Sequence, residues 1–322
     1  MAEEKTTERS FWPTESGERP PVWIAAVLVL PPLFWACNFV LARMLVGDVP
    51  PVALAFWRWT MASFLMLPFG LLPLWSQRYV VLRNWRWMLA FAFLGVSVFN
   101  VSAYIGLQFT TVANAALVNT SQSVLIVLLS AFLLRERLKL VQWLGVALAV
   151  AGVVTISVQG SLATLLAIQL NIGDVIIFFA GFSWALYTVL LRRHPPGLTL
   201  PAFLMVILPL GTLFLVPVYL IELSLGYRMV VTGESVAAIF FVAIFPSILA
   251  YFFWAAATAA VAPTTAGMFY YLLPVFAIII GWIVLGEPLE WFHLLGASVI
   301  GTGVWLTAIR PALQARRSAS SG

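Results

Sequence analysis

Residues 133–153 read LLRERLKLVQWLGVALAVAGV, two hydrophobic segments joined by a short charged turn. Residues 284–304 read VLGEPLEWFHLLGASVIGTGV and repeat that pattern. Matching positions lie 151 residues apart (287 minus 136): Glu136 and Glu287, Leu138 and Leu289, Leu144 and Leu295, Gly145 and Gly296, and Gly152 and Gly303. The positive charge is not repeated, because Gly286, Pro288 and Glu290 occupy the positions of Arg135, Arg137 and Lys139. The repeat indicates a duplicated fold.

The composition indicates that most of this chain is embedded in a lipid bilayer. Its 322 residues are 62% hydrophobic and 9% charged, whereas soluble domains carry about 25% charged residues. A water-soluble fold cannot bury so much apolar surface. The net charge of +5 does not indicate nucleic-acid binding, because the arginines fall in short gaps between apolar segments, as in cytoplasmic loops. Cys37 is the only cysteine, which excludes an intramolecular disulfide.

Ten apolar runs are each long enough for a membrane-spanning helix of about 20 residues. They are 22–42, 52–72, 88–107, 113–134, 140–158, 173–191, 200–221, 236–257, 266–285 and 292–309. The gaps between them leave no room for a soluble domain. The sequence therefore predicts an all-α integral membrane protein with ten transmembrane helices.

The repeat also relates the first and sixth runs. Trp35, Ala36, Val40, Leu41 and Arg43 are matched by Trp184, Ala185, Val189, Leu190 and Arg192, at an offset of 149 (184 minus 35). Each half thus contributes five spans, and because five is odd the second half must cross the membrane in the inverted sense. Inverted repeats are typical of secondary transporters, whose substrate site lies near the bilayer midplane between the halves.

The distribution of Lys and Arg predicts the orientation. If the N-terminus is inside, Arg43 and Arg228 fall outside, Arg58 lies within a span, and the other basic residues are cytoplasmic. These are Lys5, Arg9, Arg19, Arg78, Arg83, Arg86, Arg135, Arg137, Lys139, Arg192, Arg193, Arg310, Arg316 and Arg317. Both termini are therefore predicted to be cytoplasmic. The turn at Glu136 is interpreted as a determinant of topology, with the function located elsewhere.

Three motifs carry a family resemblance. They are W-A-x-x-x-V-L-x-R in the first and sixth spans, P-x-x-L-A-F-W-R-W at 51–59, and the E-x-L…L-G turn. Together they resemble the EamA branch of the drug/metabolite transporter superfamily, and most of all its YddG-type exporters of aromatic and other amino acids. The resemblance implies two inverted five-helix repeats, with spans one to four and six to nine around a central cavity. Phe252, Phe253 and Trp254 match no substrate-specific pattern.

The predicted organisation has five parts and places the protein in a bacterial inner membrane. It consists of a disordered cytoplasmic tail (1–21), a first EamA-like repeat (22–158), an extracytoplasmic linker (159–172), a second EamA-like repeat (173–310) and a cytoplasmic tail (311–322). The acid-rich start of the chain is unlike a cleaved secretory signal.

Polar and aromatic side chains within the apolar runs are the candidate cavity lining, because such groups are costly in lipid. The predicted lining is Trp35, Asn38, Asn100, Tyr104, Asn119, Gln122, Trp184, Tyr187, Tyr251, Trp254, Tyr270 and Tyr271. These groups can stack on an aromatic ring and hydrogen-bond a small zwitterion. In the fourth and ninth spans the polar density favours a cavity over hydrogen bonds between helices. In the other spans helix packing is an equal alternative.

Arg58 is the basic residue within a span, about seven residues from its start, which is a depth of roughly 10 Å. One role is contact with a substrate carboxylate. The alternative is a structural one, in which the side chain snorkels to the surface or pairs with a backbone carbonyl. The sequence alone favours the structural alternative.

Several absences limit the function. There is no phosphate-binding G-x-x-x-x-G-K-[ST] loop, no cluster with metal-ligand spacing, and no nucleophile beside a base, so no enzyme activity, cofactor or metal is predicted. No carboxylate lies deep in a span, which argues against a buried proton relay. Glycines in the fifth and tenth spans, among them Gly145 and Gly303, predict close packing, either within the chain or in a homodimer.

The leading hypothesis is therefore a secondary transporter that exports small metabolites, amino acids including aromatic ones, by alternating access. Its partners are a small-molecule substrate and the bilayer. A first alternative is another cargo, such as a drug, nucleoside or sugar derivative. A second is a membrane sensor or scaffold that transports nothing, which the lack of a soluble domain disfavours.

Overall fold

A computed structural model describes residues 23–45, 48–110, 115, 118–167, 169 and 171–310. The predicted tails, 1–21 and 311–322, lie outside these residues. Within the described ranges all regular structure is helical. The main helices are α1 (Trp23–Met44), α2 (Pro51–Ser76), α3 (Trp85–Gly106), α4 (Ser121–Leu133), α5 (Leu140–Ser157), α6 (Ile172–Arg193), α7 (Leu200–Ser224), α8 (Gly233–Ala260), α9 (Pro263–Leu285) and α10 (Trp291–Ile309). Short helices, Arg78–Arg83 and Leu162–Leu166, lie between α2 and α3 and between α5 and α6.

Eight of these helices are long and apolar enough to cross a membrane, which makes this a multi-pass membrane protein. Two shorter apolar helices, Val27–Ala42 within α1 and Ser121–Leu133, accompany them. The count of ten spans stays a prediction. Most observed helices begin or end within a few residues of the predicted runs. Pro51 and Pro263 stand in the first turns of α2 and α9, where proline is favoured.

The repeated turn has the same backbone conformation in both halves. Arg135 adopts φ 56° and Gly286 adopts φ 67°, which are left-handed values at matching positions. The Glu136 amide donates to the Ser130 carbonyl at 3.4 Å, and the Glu287 amide donates to the Gly281 carbonyl at 3.3 Å. The sequence repeat therefore corresponds to a structural repeat, down to the hydrogen bond that ends each helix.

Helices α3 and α8 contain matching π-helical turns, at Ala92–Val98 and Ala243–Leu249, which begin 151 residues apart (243 minus 92). Ser97 donates to the Gly211 carbonyl on α7 at 2.9 Å, which ties the first of these turns to a neighbouring helix. A π-turn leaves backbone carbonyls out of the α-helical ladder. The Pro246 carbonyl, in the π-turn of α8, accepts from Trp35 Nε1 at 3.1 Å.

Helices α5 and α10, which correspond in the repeat, run antiparallel and in close contact. Gly145 lies against the Gly303 carbonyl. About two turns further along α5, Gly152 lies against the Gly296 carbonyl. A Cβ on Gly152 would stand 2.6 Å from that oxygen. The glycines therefore serve packing within the chain.

Helices α2 and α7 also correspond in the repeat and run antiparallel, and each begins with a cap supplied by the other. The Glu222 carboxylate accepts from the Val52 and Ala53 amides at 2.9 and 2.7 Å. At the other end the Gln77 side chain accepts from the Thr199 amide at 2.8 Å. These side chains satisfy donors that the first turn of a helix leaves free.

The helices around the centre make matching contacts in the two halves. Helix α1 packs against α8 and α9, and α6 packs in the same way against α3 and α4. We call the side that carries the α2–α3, α4–α5 and α6–α7 connections the basic end. It is defined by Arg78, Arg83, Arg86, Arg135, Arg137, Lys139, Arg192 and Arg193.

Candidate substrate-binding site

A cavity of about 40 Å³ lies between the two halves. It is lined by Trp35, Asn38, Phe39, Arg58, Phe99, Asn100, Ala103, Tyr104, Leu107, Trp184, Tyr251 and Tyr270. From the aromatic residues at mid-span, its lining extends toward the end opposite the basic end, through the last turns of α1 and α3. The cavity has room for a few water molecules, which is less than an amino-acid side chain needs.

A larger cavity of about 380 Å³ lies between α2 and α7. Its hydroxyls, including Thr60, Ser63 and Thr212, donate back to carbonyls of their own helices. This groove therefore presents an apolar wall, and the polar chemistry is concentrated in the central cavity.

Arg58 is a buried cation with neutral partners. Its side chain is 3% exposed, and its Nη1 donates to Asn38 Oδ1 at 3.3 Å and to the Tyr104 hydroxyl at 3.0 Å. Its guanidinium carbon lies 4.6 Å from the centre of the Trp59 ring. No carboxylate in the described part of the chain pairs with it, and its Nε has no hydrogen-bond acceptor there. The Arg58 side chain does not extend to the surface of the protein, as the snorkelling alternative requires.

Four aromatic residues form the wall of the cavity on its basic-end side, and we call them the aromatic floor: Trp35, Trp184, Tyr251 and Tyr270. The Trp35 ring centre is 5.1 Å from Trp184 at a right angle and 5.6 Å from Tyr270. Trp35 is fixed by its bond to the Pro246 carbonyl, and the Tyr251 hydroxyl donates to the Gly95 carbonyl at 2.5 Å. Both acceptors belong to the π-turns, so these turns position the floor.

Two predicted lining residues, Tyr187 and Trp254, lie behind the floor, toward the basic end. Trp254 Nε1 donates to the Thr188 hydroxyl at 3.2 Å, and Tyr187 packs with its ring centre 5.2 Å from Trp184. Both side chains are fully buried. They seal the route from the cavity to the basic end instead of lining the cavity.

Helices α4 and α9 support the site from the side. Asn119 Nδ2 donates to the Tyr270 hydroxyl at 3.5 Å. Gln122 lies beside the same hydroxyl and is fully buried, yet within the described residues neither of its amide atoms reaches hydrogen-bond geometry. The Tyr271 hydroxyl is also buried without a hydrogen-bond partner among the described residues. These three predicted residues are close to the cavity but do not line it.

Sequence reasoning thus identified side chains that the fold brings together and others that it separates. Those on the cavity wall are Trp35, Asn38, Arg58, Asn100, Tyr104, Trp184, Tyr251 and Tyr270. Those that do not line it are Asn119, Gln122, Tyr187, Trp254 and Tyr271. The prediction missed Phe99, whose ring centre lies 4.9 Å from Trp184, and Phe39. Both adjoin predicted asparagines, a signal that could have identified them.

Comparison with known proteins assigns the family. The model of the EamA-like transporter family matches residues 22–158 and again residues 171–309. The chain belongs to the EamA-like transporter family. The two matches show that the EamA domain is duplicated, and they make the protein a membrane transporter of the drug/metabolite type.

Relatives and a solved structure share most of the length of this EamA-like protein. An uncharacterized transporter of Bacillus subtilis (strain 168), YyaM, is 30% identical over 86% of this chain and 90% of its own. A probable amino-acid metabolite efflux pump of Escherichia coli (strain K12) is 24% identical over 88% of this chain and 93% of its own. One crystal structure shares the fold with a TM-score of 0.72, at 20% identity and over 93% of this chain and 99% of that one.

Proposed function

We propose that this EamA-like protein exports small amino-acid-like metabolites, including aromatic ones, across a bacterial inner membrane by alternating access. The observation that carries the proposal is Arg58, a buried cation with neutral partners on the wall of a cavity floored by aromatic rings. A buried charge without a counter-ion is costly, and a substrate carboxylate would supply the missing anion. The Escherichia coli relative, described as a probable amino-acid metabolite efflux pump, supports the same cargo class.

The chemistry of the cavity divides the substrate into two parts. Arg58, Asn38 and Tyr104 form a polar group suited to the carboxylate of an amino acid, since charge-assisted hydrogen bonds to a guanidinium are strong. Trp35 and Trp184 offer aromatic faces and edges to its side chain. A cationic drug would meet Arg58 without a compensating anion, which disfavours that alternative cargo.

The fold supports an inverted arrangement of two five-span repeats with the basic end in the cytosol. Corresponding helices α5 and α10 run antiparallel, as do α2 and α7, and this is what inversion of one half requires. The basic connections follow the positive-inside rule. Both termini would then be cytoplasmic, and 159–172 would form the extracytoplasmic linker.

In this arrangement the described conformation is closed toward the cytosol. Tyr187 and Trp254 seal the cytosolic side of the floor, and the cavity lies on the outer side of it. Small-molecule sites usually have about 300–1,000 Å³, so the cavity must expand as the halves move before it holds an amino acid.

The test is uptake of labelled amino acids into liposomes that contain the purified protein. We expect exchange of at least one aromatic or aliphatic amino acid, and a loss of about tenfold or more in Arg58→Gln, because hydrogen bonds to a charged group contribute about 1.5–3 kcal/mol. Arg228→Gln is the matched control, since Arg228 is exposed near the outer end and should behave as wild type. Absence of exchange for every amino acid would reject the substrate class.

A further inference from the structure

The ends of four helices meet in a polar cluster at the basic end, which we call the clasp: Glu136, Arg192, Ala259 and Thr264. Glu136, in the turn after α4, accepts from the Thr264 hydroxyl in the first turn of α9 at 2.8 Å. Arg192, at the end of α6, interacts electrostatically with Glu136 and donates from Nη1 to the Ala259 carbonyl at the end of α8. The clasp thus connects α4, α6, α8 and α9.

Three of these helices also carry aromatic side chains of the floor or of the seal behind it. Helices α6 and α8 supply Tyr187 and Trp254, and α9 supplies Tyr270, six residues beyond Thr264 and roughly 9 Å along the helix. Separation of these helix ends at the basic end would break the clasp. Glu136, interpreted from the sequence as a determinant of topology, therefore lies at the position of a gate.

Burial and two polar neighbours act in opposite directions on the pKa of Glu136. Its pKa is raised mainly because the carboxyl is partly buried, while the Thr264 hydrogen bond and the positive charge of Arg192 oppose this rise. The other charges of its own turn, Arg135, Arg137 and Lys139, are exposed. In the neighbouring turns of α8 and α9 there are no titratable side chains.

His194 is a second titratable group at this end, and it lies outside the clasp. Its ring stacks on Trp87 with centres 3.9 Å apart. Burial and the adjacent Arg193 lower its pKa. Any pH response of the basic end must therefore be assigned between Glu136 and His194 by substitution.

We propose that Glu136 is a proton-binding site linked to the opening of the basic end. In the clasped form the partly buried carboxyl binds a proton more readily than an exposed one and, once protonated, can still accept from Thr264. Separation of the helices exposes Glu136 to water, where it releases its proton to that side. The sign follows from linkage: the form with the higher pKa binds the proton more tightly, so acid favours the closed form and alkali the open form. This inference is independent of the cargo.

The experiment measures access to the sealed region with a single introduced cysteine. Thr258→Cys, in a Cys37→Ala background, is a suitable reporter because Thr258 is fully buried and lies one turn beyond Trp254 on the same face of α8. Its hydroxyl bonds to carbonyls of its own helix, so the substitution breaks no hydrogen bond between helices. The full-length protein in liposomes is alkylated with a maleimide, and each rate is divided by that of the denatured protein at the same pH.

We expect the normalised rate to rise several-fold between about pH 5 and about pH 8, the range in which perturbed carboxyls and histidines titrate. Glu136→Gln, a neutral mimic of the protonated form, should give a low rate that does not change with pH. Thr264→Val should give a higher rate, because it removes one bond of the clasp. Arg137→Gln and His194→Gln are the matched controls and should retain the wild-type profile.

The first decisive measurement uses the reporter protein with the clasp intact. A normalised alkylation rate that stays constant or falls as the pH rises would overturn the proposal. A pH dependence that persists in Glu136→Gln, or that disappears in His194→Gln, would also overturn it. Because labelling requires no cargo, these outcomes are distinguishable from a failure of amino-acid exchange.

Discussion

Arg135 and Gly286 occupy the same position of the repeated turn, and both adopt a left-handed backbone conformation. Glycine takes up this conformation freely, whereas a side chain there costs about 1–2 kcal/mol. The first half therefore retains a strained arginine where the second half has the favoured residue. In the proposed orientation that arginine adds positive charge to the cytosolic side, and this explains why an unfavourable residue stands there.

Replacing Arg135 by glycine should stabilise the folded protein by up to about 1 kcal/mol, because relief of strain is partly offset by the greater freedom of glycine in the unfolded chain. Gly286→Ala should destabilise it by a similar amount. Unfolding in detergent, followed by circular dichroism, measures both. Arg137→Gly is the control, since Arg137 does not adopt a left-handed conformation, and it should give no stabilisation. Equal effects at 135 and 137 would contradict the strain argument.

At the residue scale, spacing along one helix predicts which side chains share a face. Trp35 and Asn38 share a face of α1, and both line the cavity. Prediction from sequence is less informative where the depth and the neighbours of a side chain determine its position. Tyr187 shares a face with Trp184 but lies one turn behind the aromatic floor. The partners of Arg58 come from α1 and α3, and nothing in the local sequence of α2 specifies them.

At the element scale the contact between α5 and α10 depends on glycines that lie backbone to backbone. In Gly152→Ala the new Cβ would meet the Gly296 carbonyl at 2.6 Å and Ile300 Cγ1 at 2.8 Å. Such overpacking costs about 1–3 kcal/mol. Gly301 on α10 is the matched control, because nothing lies within 4 Å of a Cβ built there.

We therefore expect Gly152→Ala to lower the thermal midpoint of the purified protein and Gly301→Ala to leave it unchanged or raise it, since alanine is favoured over glycine in a helix by about 0.5–1 kcal/mol. Retained stability in Gly152→Ala would show that the two helices separate easily. In that case a contact between two protomers would become the better explanation of the glycines.

The π-turns of α3 and α8 are elements that the sequence did not predict. Their residues are as apolar as the rest of each helix, and hydrophobic periodicity does not distinguish a π-turn from an α-helical one. Only the packed structure explains them: they present the Gly95 and Pro246 carbonyls to Tyr251 and Trp35. A local change of helical pitch in each half thus positions the aromatic floor.

At the scale of the whole molecule, helices and duplication were predictable because lipid imposes long apolar helices and because the repeat is visible in the residues themselves. The clasp was not, since Glu136, Arg192 and Thr264 are separated by dozens of residues and meet only when four helix ends converge. The charged turn was interpreted as topology alone. The structure adds a contact to it that connects both halves.

The proposed inversion of the halves can be tested at one pair of matching positions, Lys139 and Glu290, which lie 151 residues apart (290 minus 139) and are both exposed. Each is replaced by cysteine in a Cys37→Ala background and labelled with a membrane-impermeant thiol reagent. If the halves are inverted with the basic end in the cytosol, Glu290→Cys reacts in intact cells, and Lys139→Cys reacts only in inverted vesicles. Reaction of both from one side would mean that the halves are parallel, and the antiparallel packing of α5 on α10 would then need two chains. Because each substitution changes a single charge among many, the Lys and Arg bias that sets the orientation should persist in both variants.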